Sequence, residues 1–292
     1  MSLGAAVLVV VVGLAGPADG GVSCAGIERD LWTELSGLFM AMEPEGARRS
    51  IYDRATAAAG RCAGSEALAY VRVRVTELGA QGSADPAANR EAYTTLARAL
   101  ALAFPRSVRI ATVRARAVGK VEEARRAVAL DPSYAPAQVA LASALLSAGD
   151  AVAAETTMEG LERRGGPRGL ARIDDGFTVL AQVKWARGDA AGAIDAANRE
   201  LKGRDAVRVE PGGGDVRAIG AAHEILGLAY LKRGQPTQAA PHLIEAEAGS
   251  QRVQETVRNA GPALRKAIAR CKRRQLSHGV QGRDALLDDV KR

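Results

Sequence analysis

Leu226-Gly227-Leu228-Ala229-Tyr230-Leu231-Lys232-Arg233-Gly234 is the stretch that decides the fold, together with Ala239 and Ala246 further on. Gly227 and Ala239 remove the side-chain bulk that would hold two helix backbones apart, and Tyr230 has the size to fill the groove beside them. Gly234 can adopt the left-handed conformation that ends a helix. The pattern predicts two antiparallel helices joined at Gly234.

Two further copies align on the turn glycine. Leu141-Ala142 leads to Gly149-Asp150 and Ala154, with Leu161 where the second Ala is expected. Leu180-Ala181 leads to Gly188-Asp189 and Ala193, with Glu200 at the last position. In both, the Asp after Gly can cap the next helix. Glu123-Ala124 and Ala127-Val128-Ala129-Leu130-Asp131-Pro132, after Gly119, read as the close of an earlier unit that lacks about one helical turn, and residues 96–105 as another degenerate one.

The set resembles the tetratricopeptide repeat, a helix-turn-helix unit of about 34 residues. In that family a Leu-Gly pair and an aromatic mark the first helix, a Gly the turn and two Ala the second helix. Glycines 149, 188 and 234 stand 39 and then 46 residues apart, the excess falling in Gly165-Gly166-Pro167-Arg168-Gly169 and in residues 209–215. The resemblance covers residues 107–248. It implies an all-α fold, a right-handed superhelical array of antiparallel helix pairs, to which the N-terminal region adds a helical hairpin.

That hairpin follows from the residues themselves. Ile27, Leu31, Trp32, Leu35, Leu38 and Phe39 recur at helical spacing after Cys24. A Glu43-Pro44-Glu45-Gly46 turn follows, then a second helix from residue 47 to 62. An antiparallel hairpin sets its two ends side by side, so Cys24 and Cys62 are expected to form a disulfide; two buried thiols are the alternative. Cys271 is left over, buried or available to another chain. A third helix is expected over residues 65–78, and Asp85-Pro86 reads as a cap and first helical residue. The expected layout is a signal peptide at 1–20, the hairpin and third helix at 21–84, repeats at 85–248, a capping helix at 249–276 and a tail at 277–292.

Composition agrees with packed helices. Aromatics make up 3% of the 292 residues, and Ala, Leu, Val, Arg and Glu dominate. The net charge of +7 has two sources compatible with it: a surface for acidic partners, or a codon bias that raises Ala, Arg and Gly together. One cluster stands out in the last helix, Arg265, Lys266, Arg270, Lys272, Arg273 and Arg274. Near the chain's start, residues 5–15 are apolar but far shorter than the roughly 20 residues a spanning helix needs. Gly16-Pro17-Ala18-Asp19-Gly20 then offers signal-peptidase sites. Export to the periplasm or the secreted fraction is expected, although no Lys or Arg precedes the run. A retained membrane anchor and a cytoplasmic protein are the alternatives.

Catalytic motifs fail on inspection. His223-Glu224-Ile225-Leu226-Gly227 begins like a zinc-protease helix, but Gly227 stands where the second His is required. With His223, His242 and His278 the only histidines, no metal-ligand spacing exists, and His223 reads as a core residue. Gly119-Lys120 lacks the rest of a phosphate loop, and glycines 212–214 fit no dinucleotide fingerprint. Neither an enzyme activity nor a cofactor is implied.

The repeat resemblance implies a protein or peptide partner in a concave groove formed by the first helices. Carried over by position, that face consists of Val139, Ser143, Leu146 and Ser147, then Thr178, Gln182 and Trp185, then Glu224, Leu228, Leu231 and Lys232. It lacks the Lys, Arg and Asn set with which the family's best-known clamp holds a carboxylate. An apolar peptide or helix fits better, with Trp185 as the hot spot. The chain's own N-terminal hairpin or last helix is the other occupant compatible with the sequence. The expected function is thus a non-enzymatic interaction scaffold of the bacterial envelope or secreted fraction. The alternative is a binder of acidic surfaces or nucleic acid through the basic last helix; nucleic acid is disfavoured because no aromatics interleave the cations.

Overall fold

The computed structural model describes residues 23–40, 45–62, 64–82, 85–165, 170, 175–206, 216–247 and 249–278. Among them are fourteen helices and no strand. The expected signal peptide and tail lie outside the described residues, save for residues 277 and 278 at the end of the last helix. The chain divides into two compact units, residues 1–104 and 105–292.

The first unit contains α1 (Cys24–Met40), α2 (Glu45–Arg61), α3 (Glu66–Gly82) and α4 (Pro86–Ala103). Leu31 and Leu35 of α1 meet Ile51, Ala55 and Ala58 of α2, and Leu68, Val71 and Val75 of α3 complete that core. At its open end Cys24 and Cys62 are joined in the expected disulfide, with Cα atoms 5.9 Å apart. Closing a loop of that length contributes about 3–4 kcal/mol by restricting the unfolded chain. Ser65 starts α3, its hydroxyl accepting from the Leu68 N–H while it donates to Glu28 of α1. Asp85 caps α4 as expected, accepting from the Ala87 and Ala88 N–H groups, with Pro86 at the first helical position. α4 packs on α3, so this helix, which contains most of the degenerate unit read at 96–105, belongs to the first unit rather than to the repeats.

The second unit opens with the pair α5 (Val108–Val118) and α6 (Val121–Leu130). The pairs α7 (Ala135–Ser147) with α8 (Ala151–Gly165), α9 (Gly176–Ala186) with α10 (Ala190–Ala206), and α11 (Val216–Lys232) with α12 (Pro236–Glu247) follow. Where one helix was expected near the end there are two, α13 (Gln251–Arg258) and α14 (Pro262–His278). Each helix packs on the next through α12; in addition α5 touches α7, α7 touches α9 and α9 touches α11. The first helices of the pairs therefore form a row, and each second helix wedges between its own partner and the following pair.

Small residues make that row tight. Ala142, Ala154, Ala181, Ala193, Ala229 and Ala239 are fully buried. At Gly227 a β-carbon would stand 2.6 Å from Leu243 Cδ2 and 2.7 Å from its Cγ, closer than any side chain tolerates. Gly220, on the same helix, has open space around the corresponding position. The insert between α8 and α9 is pinned by Leu170, which is 1% exposed within the main core.

Two outcomes follow from this packing. Gly227→Ala is expected to destabilise the second unit by about 1–3 kcal/mol through overpacking, whereas Gly220→Ala is expected to stabilise it by about 0.5–1 kcal/mol through helix propensity. The denaturation midpoint followed by Trp185 fluorescence in a Trp32→Phe background checks both. In the converse background, Trp185→Phe, Trp32 fluorescence reports the first unit; Cys24→Ser is expected to cost it about 3 kcal/mol.

Candidate interaction face

Three of the turns that join the helix pairs are built alike. Gly149, Gly188 and Gly234 have φ of 86°, 83° and 72°. In each, the glycine N–H donates to a carbonyl three residues back: Leu146, Trp185 and Leu231. The next residue then donates five residues back at 2.9 Å: Asp150 to Leu145, Asp189 to Lys184, Gln235 to Tyr230. This is the double hydrogen bond of a helix ending on a left-handed residue. Asp150 and Asp189 then cap the next helix, accepting from Ala153 N–H at 3.0 Å and Gly192 N–H at 2.8 Å. Repeated turns, repeated small-residue contacts and a row of first helices are the features of the expected repeat. The pairs are tetratricopeptide-like.

No protein-family model matches the chain, and no curated protein matches it in sequence. Among solved structures, a tetratricopeptide repeat protein from Parabacteroides merdae ATCC 43184 is similar at 13% identity, over 82% of this chain and 99% of that one, with a TM-score of 0.41. At that degree of likeness, the reading of the repeats rests on their own turns and contacts.

The residues assigned to the groove divide in two. Val139, Thr178 and Leu228 are buried, at 0%, 3% and 9% exposure. Val139 is part of the main core, and Leu228 packs with Val253 of α13 and Leu264 of α14. These three cannot present side chains to a partner without unpacking. Ser143, Leu146, Gln182, Trp185, Glu224 and Leu231 are half-buried, and Ser147 and Lys232 are exposed.

Three of them, Trp185, Glu224 and Lys232, converge with Arg252 of α13. Trp185 of α9 lies beside α11, where the Lys232 ammonium sits 5.2 Å from its ring centroid. The Arg252 guanidinium of α13 stands 5.7 Å from the same centroid. Both are within the range at which an aromatic face attracts a cation. Arg252 also approaches Glu224 of α11 at 3.6 Å. Lys232 reaches the Gly188 carbonyl at 3.4 Å, bridging to the neighbouring turn. The result is a half-buried indole with two cations within 6 Å of its ring and one carboxylate beside the second. Arg252 was not assigned to this face from the sequence. Its helix carries a start signal, Ser250, whose hydroxyl accepts from the Val253 N–H at 3.2 Å.

Several polar residues at or beside core positions find partners on other helices. Glu200, standing where the repeat pattern has Ala, accepts from the Thr178 N–H at 3.1 Å and so closes the first turn of α9. Asp175, at the start of that helix, accepts instead from Arg116 of α5 at 2.9 Å. Arg199 lies over the Phe177 ring at 4.2 Å. Between α8 and α9, Glu155 accepts from Lys184 and Arg187, each at 2.9 Å. The Lys184 bond holds the Glu155 carboxyl below its usual range and raises the lysine.

His223, read as a core residue, is buried, and so is His242 of α12. Their Nδ1 atoms are 2.9 Å apart, so one imidazole donates and the other accepts. Tyr230 stacks on His242 with centroids 5.8 Å apart. Among the described residues no group of three or more metal-ligating side chains occurs. Burial pushes the His223 imidazole down from 6.5 to about 4. The folded state therefore keeps it neutral where the unfolded chain takes up a proton. Stability of the α11–α12 pair is expected to be constant above about pH 6.5 and to decline between there and pH 4, by about 3 kcal/mol in all. Denaturant titrations followed through Trp185 at several pH values check this, and His223→Leu should flatten the slope.

Proposed function

We propose that the chain is an exported, non-enzymatic scaffold that binds a segment of a protein partner along the first-helix row of the second unit. The observation that carries the reading is the indole of Trp185 with Lys232 and Arg252 both beside its ring. A half-buried Trp offers a large apolar contact at small entropic cost, which is why such residues dominate binding energies. The two cations select what lies beside the anchor. The fitting partner is an extended or helical segment that places an apolar side chain on Trp185 and an Asp or Glu between Lys232 and Arg252. Leu146, Gln182 and Leu231 extend the contact along the row. The tetratricopeptide-like pairs support this reading. Export is supported by the apolar leader, by the small residues after it and by the disulfide, which persists only where thiols are not kept reduced.

Display selection of random peptides against the full chain tests it. Enriched sequences are expected to pair an apolar residue with an acidic one. Trp185→Ala should weaken them about thirtyfold, and Lys232→Gln should weaken them less and reduce their salt dependence. Peptides that bind wild type and both variants equally would place the binding face elsewhere.

A further inference from the structure

α14 carries Arg265, Lys266, Arg270, Lys272, Arg273 and Arg274 and contains no Asp or Glu. Its packing sorts these residues. Leu264, Ala267 and Ile268 are buried in the core shared with α12 and α13, and Cys271 packs half-buried beside them. At 100° per residue these four positions share one face. Arg265, Lys266, Arg270 and Arg273 fall on the opposite arc, and all four are exposed. Lys272 turns toward α12 and approaches Glu247 at 3.4 Å. Among the described residues none of the other four has a carboxylate partner. Residues 265 to 273 rise about 12 Å along the helix axis, so the stripe is short, straight and uniformly positive.

A stripe of unpaired cations is ordinarily left solvated, and what distinguishes this one is that no carboxylate among the described residues pairs with it. We propose that it docks the second unit onto an anionic lipid surface, by charge alone and without insertion. The apolar face of α14 is already used in the core, so the helix cannot bury it in a bilayer as amphipathic surface helices do. The exposed arc otherwise consists of Pro262, Ala263 and Ala269. It offers no aromatic to stack a base and no Asn or Gln to read one, which disfavours nucleic acid. A flat anionic surface makes no such demand: it needs cations on one side of a rigid element. The inference does not depend on the Trp185 face, which lies on other helices and would bind its own segment whether or not α14 meets a membrane.

The test uses the full chain with large vesicles of phosphatidylcholine, with and without 30% phosphatidylglycerol as a chosen probe composition, at 50 mM and 300 mM salt. Co-sedimentation is expected only with the anionic vesicles and should fall at the higher salt. Each surface cation contributes about fivefold in affinity, so Lys266→Gln/Arg270→Gln/Arg273→Gln should weaken binding on the order of a hundredfold. The variant's helical circular dichroism should match wild type, since all three positions are exposed. Equal binding to neutral vesicles would assign attachment to the apolar leader and overturn the proposal. So would anionic binding that ignores the triple substitution. Tighter binding to a DNA duplex than to the anionic vesicles at the same salt would transfer the stripe to nucleic acid.

Discussion

A helix that must reverse into an antiparallel neighbour within three residues leaves several carbonyls without partners, unless one residue takes a left-handed conformation and its own N–H and the next one turn back onto the helix. Gly149, Gly188 and Gly234 do this with nearly the same φ. Because the reversal is built alike in these three pairs, small residues at matching positions meet across each. Small residues then become obligatory at those positions, most severely at Gly227 against Leu243. Tight pairs are also what allow the first helices to stand in contact as a row, and the row is what places Trp185 of one pair beside Lys232 of the next. The interaction face is thus a consequence of the turns.

Much of this was legible in the chain. Turn glycines, the Asp caps after two of them, the Asp85-Pro86 start and the Cys24–Cys62 pairing all depend on contacts within a few residues or within one hairpin, and local chemistry determines them. The reading faltered where context decides. Position matching put Val139, Thr178 and Leu228 on the groove face, but a helix flanked by three or four neighbours buries more of its circumference than a groove-lining helix would. α13 was missed because its eight residues are mostly polar: Val253 and Val257 alone mark its inner face, and Ser250 was an isolated start signal. With α13 went Arg252, and with Arg252 the electrostatic character of the Trp185 site.

Departures from the repeat pattern have physical substitutes. Glu200 would be a costly replacement for Ala in a closely packed pair if its carboxylate were left without donors. It instead accepts from the backbone at the start of α9, a role often taken by the residue that begins the helix. Asp175, which begins α9, is thereby available to Arg116 on α5, two pairs' worth of sequence away. One long-range ion pair and one borrowed cap thus hold the helix that follows the Gly/Pro-rich insert, where the short turns used elsewhere are absent.

The placement of the covalent link also sets how the chain would yield to force. Residues 24 and 62 are tied at 5.9 Å, whereas their 38 intervening steps would extend to about 130 Å in a pulled chain. That contour stays hidden from any motor or translocating protease drawing on the ends, however far the helices around it have melted. The second unit, held among its described residues by packed Ala and Leu with no covalent loop, can be unravelled pair by pair. The same polypeptide therefore joins an inextensible hairpin to a stack that gives way stepwise.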